Sequence, residues 1–233
     1  MPGKEGIFLH LPKLDDRLSK AAELFPSCRL GADIGADHGR LSLHLLASGR
    51  CERMVVSDIS GPALDKARTL LSRHGLDRKA VCTQADGLEA LAEPVQAVSI
   101  LGMGGDTIAA ILARAPERLA GASLILSPHT ELAHLRAALP GIGYRIGREC
   151  IARAGGRFYV LLLAVPGDSA YTEKELLLGP GLLRERPPLF QEYLLWRQRV
   201  AQKAVGIPKS ASDAGPRLQE WERLIAYIGE ELA

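Results

Sequence analysis

The feature that most constrains the fold is a glycine-containing bend over residues 33–39, whose sequence is Asp-Ile-Gly-Ala-Asp-His-Gly. Residues 29–32 before it are typical of the end of a β-strand, and four leucines within residues 41–46 supply the buried positions of a helix after it. A glycine bend between strand and helix lets the backbone approach a ligand, toward which the helix N-terminus points. The sequence therefore predicts an α/β fold with a ligand site at this bend.

The spacing of the glycines indicates the kind of ligand. A dinucleotide site requires Gly-x-Gly-x-x-Gly, so that a pyrophosphate can lie against bare backbone. Here Asp33 begins the bend, Gly35 and Gly39 are four residues apart, and Asp37 lies between them. A carboxylate at that position would repel a pyrophosphate, but it suits a cationic sulfonium or an amino acid's amine. The bend therefore favours S-adenosylmethionine over NAD, although taken alone it also fits a tight turn that binds nothing.

Further acids and glycines follow the later strands of the predicted sheet. Asp58 ends the next apolar run, nineteen residues beyond Gly39, where a carboxylate can accept hydrogen bonds from both ribose hydroxyls of an adenosine. That position supports an adenosine ligand without separating S-adenosylmethionine from NAD. Because strand ends in a parallel sheet meet at one edge, these residues outline a single crevice. The predicted cofactor contacts at this edge are Asp33, Gly35, Asp37, Gly39, Asp58, Ile59, Asp86, Gly87, Gly102, Met103 and Gly104.

Strands and helices alternate along most of the chain, which indicates βαβ units and a parallel sheet. The pattern predicts a first helix closed by Pro26, strands near 29–34, 53–57, 80–85, 95–101 and 123–127, and helices at 39–48, 61–73, 88–91, 106–114 and 131–139. Residues 144–152 and 157–165 then form two strand-like runs joined by Arg-Ala-Gly-Gly, which predicts an antiparallel hairpin. A parallel sheet closed by such a hairpin is the Rossmann-like class I methyltransferase layout, whereas a nicotinamide-binding sheet usually continues as βαβ.

A second unit is predicted after Pro166-Gly167-Asp168. We expect residues 1–166 to form the S-adenosylmethionine-binding domain and residues 167–233 to form a helical hairpin. Two apolar stripes with helical spacing, at 190–204 and 218–228, flank a predicted loop at 206–216, as in two antiparallel coiled-coil-like helices. We expect Trp196 and Trp221 to be packing residues. Residues 170–233 carry nine acids and nine bases, so this hairpin has no excess of positive charge that would indicate RNA binding.

Composition fits a cytoplasmic, soluble enzyme of one full domain with an appendage. The chain has 233 residues, of which 47% are hydrophobic, and a formal net charge of +2, which neither requires nor excludes nucleic acid. Charged residues interrupt the N-terminal segment, so no signal peptide is expected, and the longest apolar run, residues 159–165, is too short to cross a bilayer.

A metal site is not expected either. The four cysteines form no Cys-x-x-Cys pair, and reduced thiols are the favoured interpretation. His129 and His134 are five residues apart, which is off the one-turn spacing of a helical zinc pair.

Several motifs together resemble the bacterial tRNA adenine-N1 methyltransferases that modify adenine 22 of tRNA, the TrmK family. The similarity runs from residues 14–18, through Ala-Asp-Ile-Gly-Ala-Asp-His at 32–38 and Gly-Met-Gly-Gly at 102–105, to Gly179-Pro180 and the helix at Phe190 and Tyr193. It covers nearly the whole chain and implies a Rossmann-like domain with a coiled-coil appendage.

The chain departs from the family pattern at two places. After the fifth strand this chain has Ser127-Pro128-His129, where members of the family have a sequence similar to Gln-Pro-Asn. After His38 it has Gly39-Arg40, where the family usually has a small residue and an aromatic one. The first departure leaves open a methyltransferase of the same fold that acts on another RNA site or a small molecule. A non-catalytic RNA-binding relative is a further alternative.

The resemblance implies methyl transfer from S-adenosylmethionine to N1 of an unpaired adenine. That nitrogen already carries a lone pair, so no strong general base is needed. Asp37 and His38 follow the bend on the side expected to face the sulfonium, and we expect replacing either to reduce turnover. Ser127 and His129 are candidates for contacting the adenine, although His129 could equally be a surface or helix-capping residue.

The tRNA partner has modest support from local charge. Residues 136–157 contain five arginines and a single acid, Glu149. Several of these arginines would lie on the hairpin near the active edge, where they could contact phosphates. The alternative is that these arginines form an ordinary solvent-exposed surface that binds nothing. Lys13, Arg17 and Lys20 could extend the predicted RNA-binding surface, or Arg17 could instead reach the donor's carboxylate. We expect a monomer. The predicted RNA contacts are Arg136, Arg145, Arg148, Arg153 and Arg157.

Overall fold

The computed structural model describes residues 11–206 and 215–233. The expectation about a signal peptide concerns residues 1–10, and the predicted loop between the last helices falls mostly on residues 207–214, so both lie outside the described residues. The first part of the chain contains α1 (Asp16–Leu24), β1 (Cys28–Ile34), α2 (Arg40–Ala47), β2 (Cys51–Asp58), α3 (Gly61–Arg73), β3 (Ala80–Gln84), β4 (Ala97–Leu101) and α4 (Gly105–Arg114). The second part contains β5 (Ser123–Ser127), α5 (Leu132–Ala138), β6 (Tyr144–Ala154), β7 (Arg157–Pro166), α6 (Glu173–Leu178), α7 (Pro180–Glu185), α8 (Phe190–Val205) and α9 (Gly215–Leu232).

One sheet organises the molecule, with seven strands in the order β3-β2-β1-β4-β5-β7-β6. The first five strands are parallel, and β7 and β6 are antiparallel to their neighbours. The predicted class I methyltransferase fold is confirmed. The strand order reverses between β1 and β4, and open α/β sheets bind ligands at such a switch point, outside the carboxyl ends of the strands.

Local residue chemistry explains where the first helices begin. Asp15 caps α1 by accepting a hydrogen bond from the Leu18 amide at 2.8 Å, and Ser60 caps α3. Helix α2 has no side-chain cap and follows Gly39 instead, whose φ is 68°. A β-carbon on Gly39 would lie 2.8 Å from the β-carbon of Ala67, so glycine is needed here for α2 to pack against α3.

The turn between β6 and β7 is tighter than the four-residue connection predicted from the sequence. The strands pair as far as Ala154 and Arg157, so Gly155 and Gly156 alone form the turn. Their φ angles of 55° and 76° are those of a primed two-residue hairpin turn, which matches the twist of the strands.

The C-terminal helices pack on the outer face of the β6–β7 hairpin. Ile151 and Val160 from the sheet are buried against α6, α7, α8 and α9. Trp196 is half-buried and packs on Phe158 with 5.6 Å between ring centroids, while Trp221 contacts the same core, so their packing roles are confirmed. Among the described helices, none combines the length and hydrophobicity needed to cross a membrane.

Helices α6 and α7 were not predicted. A capping box begins α6, in which the Glu175 amide donates to the Thr172 hydroxyl and the Thr172 amide donates to the Glu175 carboxylate. Both helices are six residues long, too short to display a helical periodicity that distinguishes them from a loop.

Arg136 forms a buried ion pair, so its predicted contact with RNA is wrong. Its side chain is completely buried and lies 2.8 Å from Glu149, while its guanidinium also donates to the Leu176 carbonyl at 2.7 Å. Glu149 in turn accepts hydrogen bonds from the amides of Gly181 and Leu182 at the N-terminus of α7. A buried charge requires such partners, and this pair joins the sheet to the C-terminal helices.

Candidate active site

A cleft of about 740 Å³ lies at the carboxyl ends of the parallel strands, within the size range of small-molecule sites. It lies at the switch point between β1 and β4. The sequence-predicted residues that line it are Arg17, Asp33, Gly35, Asp37, His38, Asp58, Ile59, Asp86, Gly87, Gly102, Met103 and His129.

The bend after β1 has a strained backbone that its neighbours stabilise. Gly35 and Asp37 have φ angles of 69° and 49°, and the left-handed region costs a residue with a side chain about 1–2 kcal/mol. The Asp58 carboxylate accepts hydrogen bonds from the amides of Asp37 at 3.0 Å and Ser60 at 2.9 Å. Asp58 therefore fixes the geometry of the bend, a role that the sequence did not reveal.

Asp33 lies beneath the bend. Its carboxylate is buried and accepts hydrogen bonds from the hydroxyls of Ser42 at 2.7 Å and Ser99 at 2.8 Å. Burial raises the pKa of Asp33 above its usual range, while the two serine hydroxyls oppose that shift. Because both carboxylate oxygens are engaged, the geometry supports a role for Asp33 in joining α2 and β4 under the cleft floor.

The part of the cleft after β2 and β3 offers an apolar surface beside acids. Ile59 is 69% exposed, which is unusual for a large aliphatic side chain. Asp86 forms a bidentate pair with Arg114 at 2.7 and 2.9 Å, and this guanidinium lowers the pKa of Asp86. An exposed apolar face next to hydrogen-bond acceptors suits a nucleoside.

The Gly-Met-Gly-Gly segment fits tightly against two other loops. The terminal methyl group of Met103 lies where a β-carbon on Gly35 would stand, and the Glu131 carbonyl lies where one on Gly105 would stand. The Gly105 amide also donates to the Thr130 carbonyl at 2.9 Å. These glycines let the loop after β4 approach its neighbours. Gly39 and Gly104 are not among the residues that line the cleft. Gly39 lies against Ala67 of α3, and Gly104 lies beside Thr130 and Glu131.

Arg17 and His129 line one wall of the cleft, and both lie against Tyr159, which is not itself a lining residue. The Arg17 guanidinium lies 5.4 Å from the centroid of the Tyr159 ring, and the His129 ring lies 5.7 Å from the same ring, centroid to centroid. Burial lowers the pKa of His129, and the guanidinium groups of Arg17 and Arg157 lower it further. His129 therefore presents a neutral imidazole at neutral pH. Tyr159 was not predicted as a site residue, because in the sequence it is one residue of an apolar strand.

Asp37 and His38 lie together at the cleft mouth. His38 Nδ1 is 2.5 Å from an Asp37 carboxylate oxygen, and both side chains are at least half exposed. The structure thus brings these two predicted catalytic residues onto one side of the cleft with the strained bend beneath them.

Ser127 does not face the cleft, so its predicted contact with the adenine is wrong. The side chain is completely buried, and its hydroxyl donates to the Val160 carbonyl at 3.2 Å. The departure from the family pattern at Ser127 is thus inside the sheet, and of Ser127 and His129 only the histidine lines the cleft.

The predicted arginine surface is smaller than the sequence suggested. Besides the buried Arg136, Arg148 lies 3.6 Å from Glu185, and Arg153 pairs with Glu192 at 3.2 Å. Arg145 and Arg157 are exposed, and Arg157 is close enough to influence the pKa of His129. The cleft itself adds two cations that line it, Arg17 and Arg40.

No group of three or more His, Cys, Asp or Glu side chains within residues 11–206 and 215–233 has the arrangement of a metal site. The four cysteines, Cys28, Cys51, Cys82 and Cys150, are free thiols, in agreement with the sequence interpretation.

The chain is similar to the proteins of one known family. The model of the family TrmK, tRNA (adenine(22)-N(1))-methyltransferase, matches residues 31–230. The chain belongs to this family. The resemblance inferred from the motifs at 32–38 and 102–105 is thereby confirmed.

Individual relatives agree with this family membership. The tRNA (adenine(22)-N(1))-methyltransferase of Bacillus subtilis is 31% identical over 220 residues, which is 91% of each chain. The crystal structure of the B. subtilis m1A22 tRNA methyltransferase TrmK aligns with a TM-score of 0.82 at 27% identity, covering 95% of this chain and 99% of that one. Streptococcus pneumoniae Sp1610 in complex with S-adenosyl-L-methionine aligns with a TM-score of 0.84 at 27% identity, covering 95% and 100%.

Proposed function

We propose that this protein transfers the methyl group of S-adenosylmethionine to N1 of adenine 22 in tRNA. The observation that carries the proposal is the acid-and-glycine cleft at the switch point of a class I methyltransferase sheet, in a chain whose family match spans residues 31–230. Its TrmK-family relative in B. subtilis is named for this activity.

The cleft fits the methyl donor. The close approach of Met103 to Gly35 leaves no room for a β-carbon on Gly35, so the bend presents bare backbone at this part of the cleft. Asp58 and Ile59 suit the ribose and the adenine of the donor, and Arg17 suits its carboxylate. S-Adenosylmethionine, when bound, supplies an electrophilic methyl group on a sulfonium. The Asp37 carboxylate at the bend offers a negative charge toward that cation.

The protein's own contribution to catalysis is mainly positioning. Adenine N1 is a nucleophile at neutral pH, so holding it in line with the methyl group supplies most of what the reaction requires. His129 presents a neutral imidazole, which can accept a hydrogen bond from the exocyclic amino group as the ring becomes cationic. A neutral group at this position also avoids adding positive charge beside the developing cation.

The substrate reaches this cleft as an unpaired base, because N1 lies on the pairing edge. Arg157, which is close to His129, and Arg40, which lines the cleft, are cations available to phosphates there, whereas Arg145 lies at the opposite edge of the sheet, beside the start of β5. In this proposal residues 1–166 carry the donor site, and residues 167–233 orient the tRNA through α8 and α9. We also propose that the protein acts as a monomer in the cytoplasm.

Methylation of bulk unmodified tRNA, followed by nucleoside analysis, tests the proposal. We expect 1-methyladenosine to appear with S-adenosylmethionine and without added metal. A different methylated nucleoside would indicate another RNA site, methylation confined to small molecules would indicate a different substrate class, and RNA binding without methylation would indicate a non-catalytic relative.

A further inference from the structure

Tyr159 does not line the cleft, but its ring lies against Arg17 and His129, which do. Its strand, β7, packs against α1, which carries Arg17, while His129 belongs to the loop after β5. A β-carbon on Gly102, after β4, would lie 3.3 Å from an Arg17 guanidinium nitrogen and 3.7 Å from the His129 ring. Arg17 and His129 therefore flank the same point of the cleft.

The Tyr159 ring contacts both of these polar groups. Arg17 lies over the ring at 5.4 Å from its centroid, a cation–π geometry, and His129 lies 5.7 Å away at an interplanar angle of 56°. A long arginine side chain has many rotamers, and an aromatic face restricts them. The adjacent Phe158 points to the opposite side of the sheet, where it packs on Tyr193 and Trp196.

Helix α1 is also held to β6, the other strand of the hairpin, by a hydrogen bond from backbone to side chain. The Arg153 amide donates to the Asp16 carboxylate at 2.6 Å, which joins the start of α1 to β6 beside the tip of the hairpin. Arg17 follows Asp16 directly, so its backbone is positioned by the hairpin while its side chain is positioned by Tyr159.

We propose that Tyr159 is a positioning residue of the active site, whose ring holds the Arg17 guanidinium and the His129 imidazole in fixed relation beside Gly102. This inference rests on the proposed function, in which Arg17 contacts the methyl donor and His129 contacts the target base. The charged and titratable groups that face His129 are Arg17 from α1 and Arg157 and Tyr159 from β7. Tyr159 acts through the other two residues and through its ring face, so phenylalanine can replace it.

Three variants test the proposal: Tyr159→Leu, Tyr159→Phe and, as a matched control on the same strand, Phe158→Leu. In Tyr159→Leu we expect kcat to fall about three- to thirtyfold, the range of a cation–π contact. The pKa of His129, followed by NMR of its imidazole protons, should rise toward 6.5 as Arg17 moves away. Tyr159→Phe should retain both properties, and Phe158→Leu should lower stability while leaving the pKa of His129 unchanged.

An unchanged pKa of His129 and an unchanged kcat in Tyr159→Leu would overturn the proposal, as would an equal loss in Tyr159→Phe. If Tyr159→Leu does not fold, Tyr159→Met takes its place, and an unchanged pKa of His129 together with an unchanged kcat in that variant is the contradicting result. The NMR titration needs no tRNA. Failure of the wild type to methylate tRNA would therefore refute the proposed function while leaving the positioning role to be judged separately.

Discussion

The side chain of Met103 occupies the space in which a β-carbon on Gly35 would have to stand. The loop after β4 is thus held against the bend after β1, and the two loops together form the floor of the cleft. Gly35 also has a φ of 69°, so its backbone disfavours any side chain.

Gly35→Ala should therefore weaken S-adenosylmethionine binding strongly, by displacing Met103 in addition to the backbone strain of about 1–2 kcal/mol. Gly49→Ala is a matched control, since Gly49 has a φ of 72° with nothing within 4 Å of its β-carbon position. Calorimetry should show that Met103→Ala partly restores affinity to the Gly35→Ala protein. Equal donor affinity in the two single glycine variants would contradict the proposed contact.

Asp58→Ala should weaken donor binding by about 1.5–3 kcal/mol, the range for hydrogen bonds to a charged group, because the bend loses an acceptor and the ribose loses its partner. Asp65→Ala is the control, since Asp65 is an exposed acid of α3 that pairs with Arg68 outside the cleft. Calorimetry with S-adenosylmethionine and with NAD measures the effect. Unchanged affinity would remove Asp58 from the site, and preferential binding of NAD would contradict the methyltransferase assignment.

Glu149→Ala should destabilise the protein by about 3–5 kcal/mol, because it leaves the Arg136 charge buried and uncompensated. Glu185→Ala removes the partner of the exposed Arg148 and should cost about 0–1 kcal/mol. Urea unfolding of both variants gives the comparison. Equal losses would mean that the buried pair does not hold the C-terminal helices to the sheet. Deleting residues 170–233 would expose this pair, so such a truncation is a poor test of an RNA-binding arm.

The pH dependence of stability should report the lowered pKa of His129. Its pKa is about 6.5 when unfolded and lower when folded, so the unfolded state binds a proton first as the pH falls. The contribution of neutral His129 to the free energy of unfolding is complete above about pH 6.5 and is lost as the pH falls toward the folded-state pKa. Wild type should therefore lose more stability on acidification than His129→Gln. A wild type that gains stability relative to this variant as the pH falls would show the opposite shift.

The sequence predicted the sheet and its ligand edge because both depend on local patterns. Strand–helix alternation and the positions of Asp58, Asp86 and the glycines after each strand need no knowledge of side-chain direction. The direction of Ser127 could not be predicted, since its hydroxyl donates to the Val160 carbonyl, and the sequence does not reveal that β7 pairs beside β5. Charge counting also failed at Arg136, because an excess of arginines does not reveal that one of them is buried against Glu149.

Primer extension on a tRNA transcript, after incubation with the protein and S-adenosylmethionine, tests the proposed activity most directly. Methylation of N1 blocks base pairing, so reverse transcriptase stops where the modified adenine stands. We expect a stop at adenine 22 that requires the donor and disappears in a transcript carrying guanine there. Full-length extension of the adenine 22 transcript, or a donor-dependent stop at another adenine, would contradict the proposed activity.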